Sequence, residues 1–357
     1  MSSANETKLQ VGVIGAGWWS TEHHLPGVLA YPQAELAALC DPNPERLAAA
    51  AAVYHPRQTY SDYREMLAKE KLDCAIVVTP HATHYEVARD ALEANLHLLI
   101  EKPMTLYARD ARDLLRRAEQ RGRVVTLGYA HNFSQNMVRG HAAVAGGELG
   151  EVHYLDCSFC SDMTGFLGGN VTQENPVRAR VRVNGPGEAY NRPELMGGGH
   201  GHLQLTHVVG MLFYVTGLRA RVVEARMSRQ GRAVDMVDAI AVEFENGALG
   251  LVGGTGTAVA MHRVSLSVFC ERGAFVVDTL GANLLRKTDG TKEELTWQGV
   301  MNTRYNTTHN FLDVVQGHGP CYAPGEVGWR AVELLDAAYR SAQHGGQPIR
   351  IEELYED

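Results

Sequence analysis

The sequence predicts a two-domain α/β protein: a doubly wound parallel sheet, then an α+β domain built on an open, mainly antiparallel sheet. Three observations carry that expectation. The 357 residues exceed the size at which one hydrophobic core stops growing. Up to residue 128 short apolar runs alternate with helical patterns, whereas from 129 to 357 strand-like segments mostly follow one another. Finally, VGVIGAG (11–17) ends an apolar run in glycines, where a strand would hand over to a helix.

Apolar runs stand at VGVIG, AELAALC (34–40), DCAIVV (73–78), HLLI (97–100) and VVTLGY (124–129). Helical patterns begin after Pro44 and span HYEVARDALEAN (84–95) and ARDARDLLRRAEQRG (108–122). Short apolar runs separated by helices describe strands covered on both faces, with a ligand crevice at their carboxyl ends. In the second part EVHYLDCSF, RARVRVN, ARVVEARMS, DAIAVEFEN, ALGLVGGTG, HRVSLSVFCE and GAFVVDTL read as strands. ENG (245–247) and ERG (271–273) read as the turns of antiparallel hairpins. Helices are expected over GGGHGHLQLTHVVGMLFYVTG (197–217) and WRAVELLDAAYRSAQHG (329–345).

Composition narrows the function classes. Hydrophobic residues make up 45% and charged residues 21%, as in an ordinary globular protein. A formal charge of −8, from 33 basic and 41 acidic residues, argues against a nucleic-acid partner. No basic segment followed by an apolar one opens the chain, and its apolar runs fall far short of the ~20 residues of a membrane helix. A cytoplasmic protein without a membrane partner is expected. Six cysteines lack a framework spacing; Cys157 and Cys160 form a CxxC, but on a strand positions i and i+3 face opposite sides. Reduced thiols are the expectation, and no metal.

The first chemical motif is Gly15-x-Gly17-x-x-Ser20, which includes Trp18 and Trp19. The first glycine permits a tight turn and the second lets backbone approach a diphosphate at a helix N-terminus. Ser20 replaces a third glycine that serves packing. Asp41 closes the second run 24 residues beyond Gly17, the spacing of a ribose-binding carboxylate that would repel a 2′-phosphate. This points to NAD rather than NADP; the bland alternative is that Asp41 only caps the next helix.

HLLIEKPM then puts Glu101, Lys102 and Pro103 at the end of the fifth run. With the glycine turn, VVTPHATHYEVARDAL (77–92), three glycines followed by His207, and FLDVVQG (311–317), the whole chain resembles the Gfo/Idh/MocA family, that of glucose–fructose oxidoreductase and inositol dehydrogenase. The resemblance implies a Rossmann domain in 1–128, a substrate and oligomerisation domain in 129–357, NAD, a sugar or cyclitol substrate, and subunits paired through the open sheet face. Cofactor contacts are expected from Gly15, Gly17, Trp18, Trp19, Asp41, Thr79, Pro80, His84, Glu101 and Lys102. It also implies that Lys102 lies beside the reacting carbon and that His207 is the acid/base. Elementary chemistry agrees: removing hydride from an alcohol requires its proton to leave, which suits an imidazole, while an ammonium stabilises the developing alkoxide.

A regular helix from residue 199 would put His200, Gln204, His207 and Met211 on one face and turn His202 elsewhere. His200 and His207 would stand two turns, ~10 Å, apart, too far to share a zinc ion. Many relatives carry an acid four residues before the catalytic histidine. Here the position is Leu203, and Gln204 and Thr206 match a branch with glutamine and threonine. His200, His202 or Gln204 then replaces the acid, or the chemistry departs from simple dehydrogenation.

VRARVRV (177–183) places Arg178, Arg180 and Arg182 on one strand face, ~6.6 Å apart. Their forks suit a carboxylate, phosphate or sulfonate, with Arg192 nearby, although for any single arginine an exposed strand face or a subunit contact is the favoured explanation. Tyr129, His131 and Asn132, at the domain junction, complete the sugar-binding candidates. The expected function is an NAD-dependent dehydrogenase acting on a ring hydroxyl, C3, of a pyranose or glycoside that carries an anionic group. The alternatives are a glycosidase that oxidises, eliminates, hydrates and re-reduces, and a non-catalytic NAD-binding regulator.

Overall fold

A computed structural model describes residues 8–168, 187–296 and 307–356. Arg178, Arg180 and Arg182 lie outside the described residues, so the anion site expected from them is carried by no geometry.

The first sheet comprises β1 (Leu9–Ile14), β2 (Ala34–Cys40), β3 (Gln58–Tyr60), β4 (Cys74–Val77), β5 (His97–Ile100) and β6 (Val125–Leu127). All neighbours are parallel, in the order β3-β2-β1-β4-β5-β6. The order reverses between β1 and β4, which opens the crevice at their carboxyl ends. Five helices cover the faces: α1 (Leu25–Ala30), α2 (Pro44–Tyr54), α3 (Tyr63–Lys69), α4 (His84–Glu93) and α5 (Ala108–Arg121). Their ends are chemically marked. Asn43 caps α2 by accepting from the Glu45 and Arg46 amides, and Gly122 ends α5 in a left-handed conformation at φ +61°. The sequence reading passed over β3 and α3, a three-residue edge strand and a seven-residue helix too short to show a period.

The second sheet orders its strands β14-β13-β12-β11-β7-β10-β9-β8-β15. They span Val152–Cys160 (β7), Ala220–Ser228 (β8), Val237–Phe244 (β9), Leu249–Thr255 (β10), Arg263–Cys270 (β11), Gly273–Asp278 (β12), Leu284–Lys287 (β13), Lys292–Glu294 (β14) and Ile349–Arg350 (β15). The expected hairpins β9–β10 and β11–β12 form. β10 and β11, consecutive in the chain, do not pair: β7 sits between them, parallel to β10 and antiparallel to β11. Burial explains the insertion, because Leu155, Cys157 and Phe159 alternate along β7 and all are buried. Cys157 and Cys160 are both free thiols.

Helix α6 (Gln135–Val144) comes before β7, and a four-residue α7 (Pro193–Met196) stands just ahead of Gly197. Helices α8 (Thr206–Thr216) and α10 (Gly325–Gln343), with α6, pack against this sheet and one another. Across the sheet, Tyr154, Leu249, Leu251 and Phe269 remain exposed. The segment after the sheet returns to the first domain: α9 (Thr307–Val315) places Phe311 and Leu312 in one cluster with Val11, Val13 and Leu39. The break at 128/129 therefore separates the two sheets, while α9 belongs by packing to the first. Among the described residues no helix is long and apolar enough to cross a membrane.

Candidate active site

The site starts at the end of β1. Gly15 has φ +109°, and a Cβ there would lie 2.2 Å from the Val78 carbonyl oxygen, so only glycine fits. A Cβ on Gly17 would meet nothing within 4 Å, which leaves open space against bare backbone. Beyond it a π-type helical stretch, Ser20–His24, runs into α1. A cradle open at Gly17, next to a helix start, fits a dinucleotide diphosphate. Asp41, 4% exposed, braces it: Oδ2 accepts from the Ala16 amide at 2.8 Å, and Oδ1 accepts from the Asn43 amide at 2.8 Å and Arg46 Nη2 at 3.2 Å. The helix cap is Asn43, so the capping alternative for Asp41 does not hold.

Glu101 follows β5 and is buried. Its Oε1 accepts from Trp19 Nε1 and His24 Nε2, each at 2.9 Å, and its Oε2 accepts from the Lys102 amide at 3.1 Å. His24 is fully buried, and its Nδ1 lies 3.0 Å from Thr308 Oγ1. Burial pushes the Glu101 carboxyl upward, but the His24 hydrogen bond and charge, with Lys102, hold it below the usual carboxylate range. Glu101, expected as a cofactor contact, thus has three protein donors on its two oxygens. His24 and Thr308 were missed by sequence reasoning. They lie 284 residues apart and share no local motif.

The glycine-rich stretch has a packing cause. A Cβ on Gly198 or Gly201 would strike the Tyr339 hydroxyl at 2.2 or 2.6 Å, and one on Gly199 the Asp235 carbonyl at 2.2 Å. Asp235 accepts from the Gly199 and Gly201 amides and from Tyr339, at 2.7, 2.8 and 2.9 Å. From Gly201 to Leu205 the backbone is a π-type turn, with the Thr206 amide donating to Gly201 O, and α8 begins there. The regular helix expected from residue 199 is corrected accordingly: five-residue hydrogen bonding widens the turn and rotates the next residues out of phase.

That turn presents the Leu203 carbonyl to Lys102, whose Nζ donates to it at 2.7 Å. A backbone oxygen, that of Leu203, thus holds the ammonium, and the side chains of His200, His202 and Gln204 are engaged with other groups. His200 is fully buried, with Nδ1 2.8 Å from Asp238 Oδ2 and Nε2 donating to Phe159 O at 3.1 Å, so both ring nitrogens are engaged within the protein. His202 stacks on Tyr339 at 4.4 Å, and Gln204 Nε2 lies 3.2 Å from Met163 Sδ. His207 is half-buried against His131 and Phe159, with ring centroids 5.3 and 6.0 Å away. Its buried Nδ1 has no hydrogen-bond partner among the described residues.

Burial lowers Lys102 to about 8 against the opposing pull of Glu101. Burial, then the charge of Lys102 and His131, push His207 well below the usual imidazole value. At neutral pH the pair is an ammonium beside a neutral imidazole.

Three further candidates are scaffold. Tyr129 is buried, with its hydroxyl 3.1 Å from Thr206 Oγ1. Asn132 is buried and donates to Tyr322 O at 3.2 Å. The His84 nitrogens face the Pro103 and Thr79 carbonyls at 2.8 Å, joining the two crevice loops. All three are fully buried, and each has at least one polar atom bonded within the protein. Thr79 is half-buried and Pro80 exposed at the crevice, while exposed Arg192 pairs with Glu194 at 2.7 Å. Among the described residues no group of three or more His, Cys, Asp or Glu could hold a metal ion.

A reversed-order parallel sheet, a glycine cradle and a lysine–histidine pair across the crevice define an NAD-binding oxidoreductase. Residues 9–129 match the oxidoreductase family with an NAD-binding Rossmann fold, and residues 137–276 match the GFO/IDH/MocA C-terminal domain. The chain belongs to the Gfo/Idh/MocA family, and its cofactor is NAD. It is 27% identical to D-glucoside 3-dehydrogenase of Escherichia coli K12, over 96% of this chain and 98% of that protein. It is 24% identical to myo-inositol 2-dehydrogenase of Thermotoga maritima, over 97% and 99%. Its fold is similar to that of levoglucosan dehydrogenase in complex with NADH and levoglucosan, with a TM-score of 0.78 at 18% identity over 97% and 100% of the chains.

Proposed function

We propose that this protein oxidises a ring hydroxyl, at C3, of a pyranose or glycoside. The observation that carries the reading is the Lys102 ammonium, anchored to Leu203 O at 2.7 Å, beside the neutral imidazole of His207. His207 takes the hydroxyl proton, and Lys102 stabilises the negative charge that develops on the same oxygen. NAD, when bound along the glycine cradle, supplies the hydride acceptor. Likeness to a glucoside 3-dehydrogenase over the full chain supports C3 as the carbon. The test is NADH formation with methyl D-glucopyranoside and its 3-deoxy analogue. NADH from the first alone, with a 3-keto product, is expected; oxidation of the 3-deoxy sugar removes the assignment. Release of methanol without accumulating NADH would instead reveal the redox-neutral glycosidase.

NAD is expected to be preferred over NADP, because the Asp41 carboxylate, which accepts from the Ala16 amide of the cradle at 2.8 Å, would repel a 2′-phosphate. Asp41→Ala also frees Arg46, now bound to that carboxylate, to meet a 2′-phosphate. The NAD:NADP ratio of kcat/KM should fall by about tenfold or more, the scale of one charge-assisted contact. An unchanged ratio refutes the role. We also assign subunit pairing to the sheet face exposing Tyr154, Leu249, Leu251 and Phe269. A monomer at every concentration in sedimentation would remove that assignment.

A further inference from the structure

A row of aromatic side chains runs from Trp18, at the cradle, through Phe166 to Tyr190. Trp18 meets Phe166 edge-on at 5.8 Å, and Phe166 meets Tyr190 at 6.1 Å. All three residues are part-buried, so each keeps some accessible surface. Behind them, Phe166 and Tyr190 pack on a small cluster of Met163, Leu167, Leu203, Val234 and Met236, separate from the main cores.

The wall is continuous with the reactive groups on two sides. Trp18 adjoins Trp19, which bonds Glu101 next to Lys102. Leu203 belongs to the small cluster through its side chain and holds Lys102 through its carbonyl. Glu101 is near enough that its charge, after burial, helps push the Tyr190 phenol up to about 12. Lys102 is therefore flanked on that side by the aliphatic and aromatic surface of this cluster. A sugar hydroxyl on that side would face carbon, whereas the polar groups His207 and His131 lie together on Phe159.

We infer that the Trp18–Phe166–Tyr190 wall is a subsite for the apolar, aromatic aglycone of a glycoside, whose sugar ring is presented to Lys102 and His207. This rests on the reading of the site as a sugar oxidoreductase and adds the aglycone class. The rings meet edge to face, at interplanar angles of 61° and 78°, and together offer apolar ring faces and edges against which one planar group can pack. A small alkyl aglycone would leave it uncovered.

The experiment compares phenyl and methyl D-glucopyranosides, in both anomers, with NAD-loaded enzyme. For the accepted anomer, KM for the phenyl glucoside should lie about tenfold or more below that for the methyl glucoside, with similar kcat, as one or two ring contacts would supply. Phe166→Leu, which keeps an apolar side chain at the position, should bring the phenyl:methyl ratio of kcat/KM close to one. Binding is read separately by tryptophan fluorescence of the NADH complex. Phenyl glucoside should change it in the wild type and much less in Trp18→Phe.

Equal KM values for the two glucosides overturn the subsite. So does a Phe166→Leu variant that loses both substrates equally, since its ring would then serve fold or cofactor. Tighter binding of phenyl than methyl glucoside with no NADH from either keeps the subsite and removes the C3-oxidation reading. Binding of neither glucoside overturns both.

Discussion

Lys102→Met lowers kcat by roughly 10²- to 10⁴-fold, the range spanned by single proton-transfer and charge-stabilising groups, while NAD still binds. Methionine keeps most of the side-chain length but cannot donate to the Leu203 carbonyl or face an alkoxide. His207→Ala falls in the same range, because it removes the imidazole that takes the hydroxyl proton. The pH profile gives an independent check. The ammonium is the competent form of Lys102, so kcat/KM should decline as pH rises through about 8. It should also decline in acid, well below the usual imidazole value, as His207 is protonated. A rate that climbs through that alkaline region would make the Lys102 amine the base and reverse the two roles. Near-wild-type turnover of Lys102→Met would remove it from the chemistry.

Glu101→Gln destabilises the protein by about 3 kcal/mol or more at pH 7, since a buried carboxylate that accepts from Trp19, His24 and the Lys102 amide loses charge-assisted bonds. The sign with pH comes from a native Glu101 held below the usual carboxylate range. Such a group stabilises the fold fully above its unfolded value, about 4.3, and the contribution is lost as pH falls through the native value. The stability gap between wild type and variant should therefore be full at pH 7 and close in acid. Denaturant titrations across pH would show it, and a gap independent of pH would mean Glu101 is not ionised in the native protein. The substitution also removes the charge that opposes the burial of Lys102. The alkaline limb of kcat/KM should move to lower pH, a change that mere loosening of the fold would not produce.

Much of the fold was legible because its cause is local. The apolar runs of β1, β4 and β5 can only be strands covered on both sides, and the helical patterns between them force parallel crossovers. Gly15 was legible because a strand-to-helix turn demands a residue free to adopt positive φ, and Lys102 because an apolar strand and a proline leave it at the crevice. His84 and Tyr129, by contrast, looked like ligand contacts from position alone, although their polar atoms are taken by backbone and by Thr206.

What the sequence by itself determined is the alternation of apolar strands and helices in the first domain and the glycine turn of the dinucleotide cradle, while resemblance to a family singled out Lys102 and His207. Only the tertiary structure decided how that pair is held. The partner of Lys102 is a carbonyl 101 residues away, made available where a π-type turn takes the helix out of phase. Glu101 is braced by His24, and His24 by Thr308 on a helix returning from the far end of the chain. β7 slides between β10 and β11 for the same kind of reason. Periodicity records which face of one element is buried, whereas a hydrogen bond or strand pairing between distant segments depends on which other surface that face meets, and no local pattern encodes it.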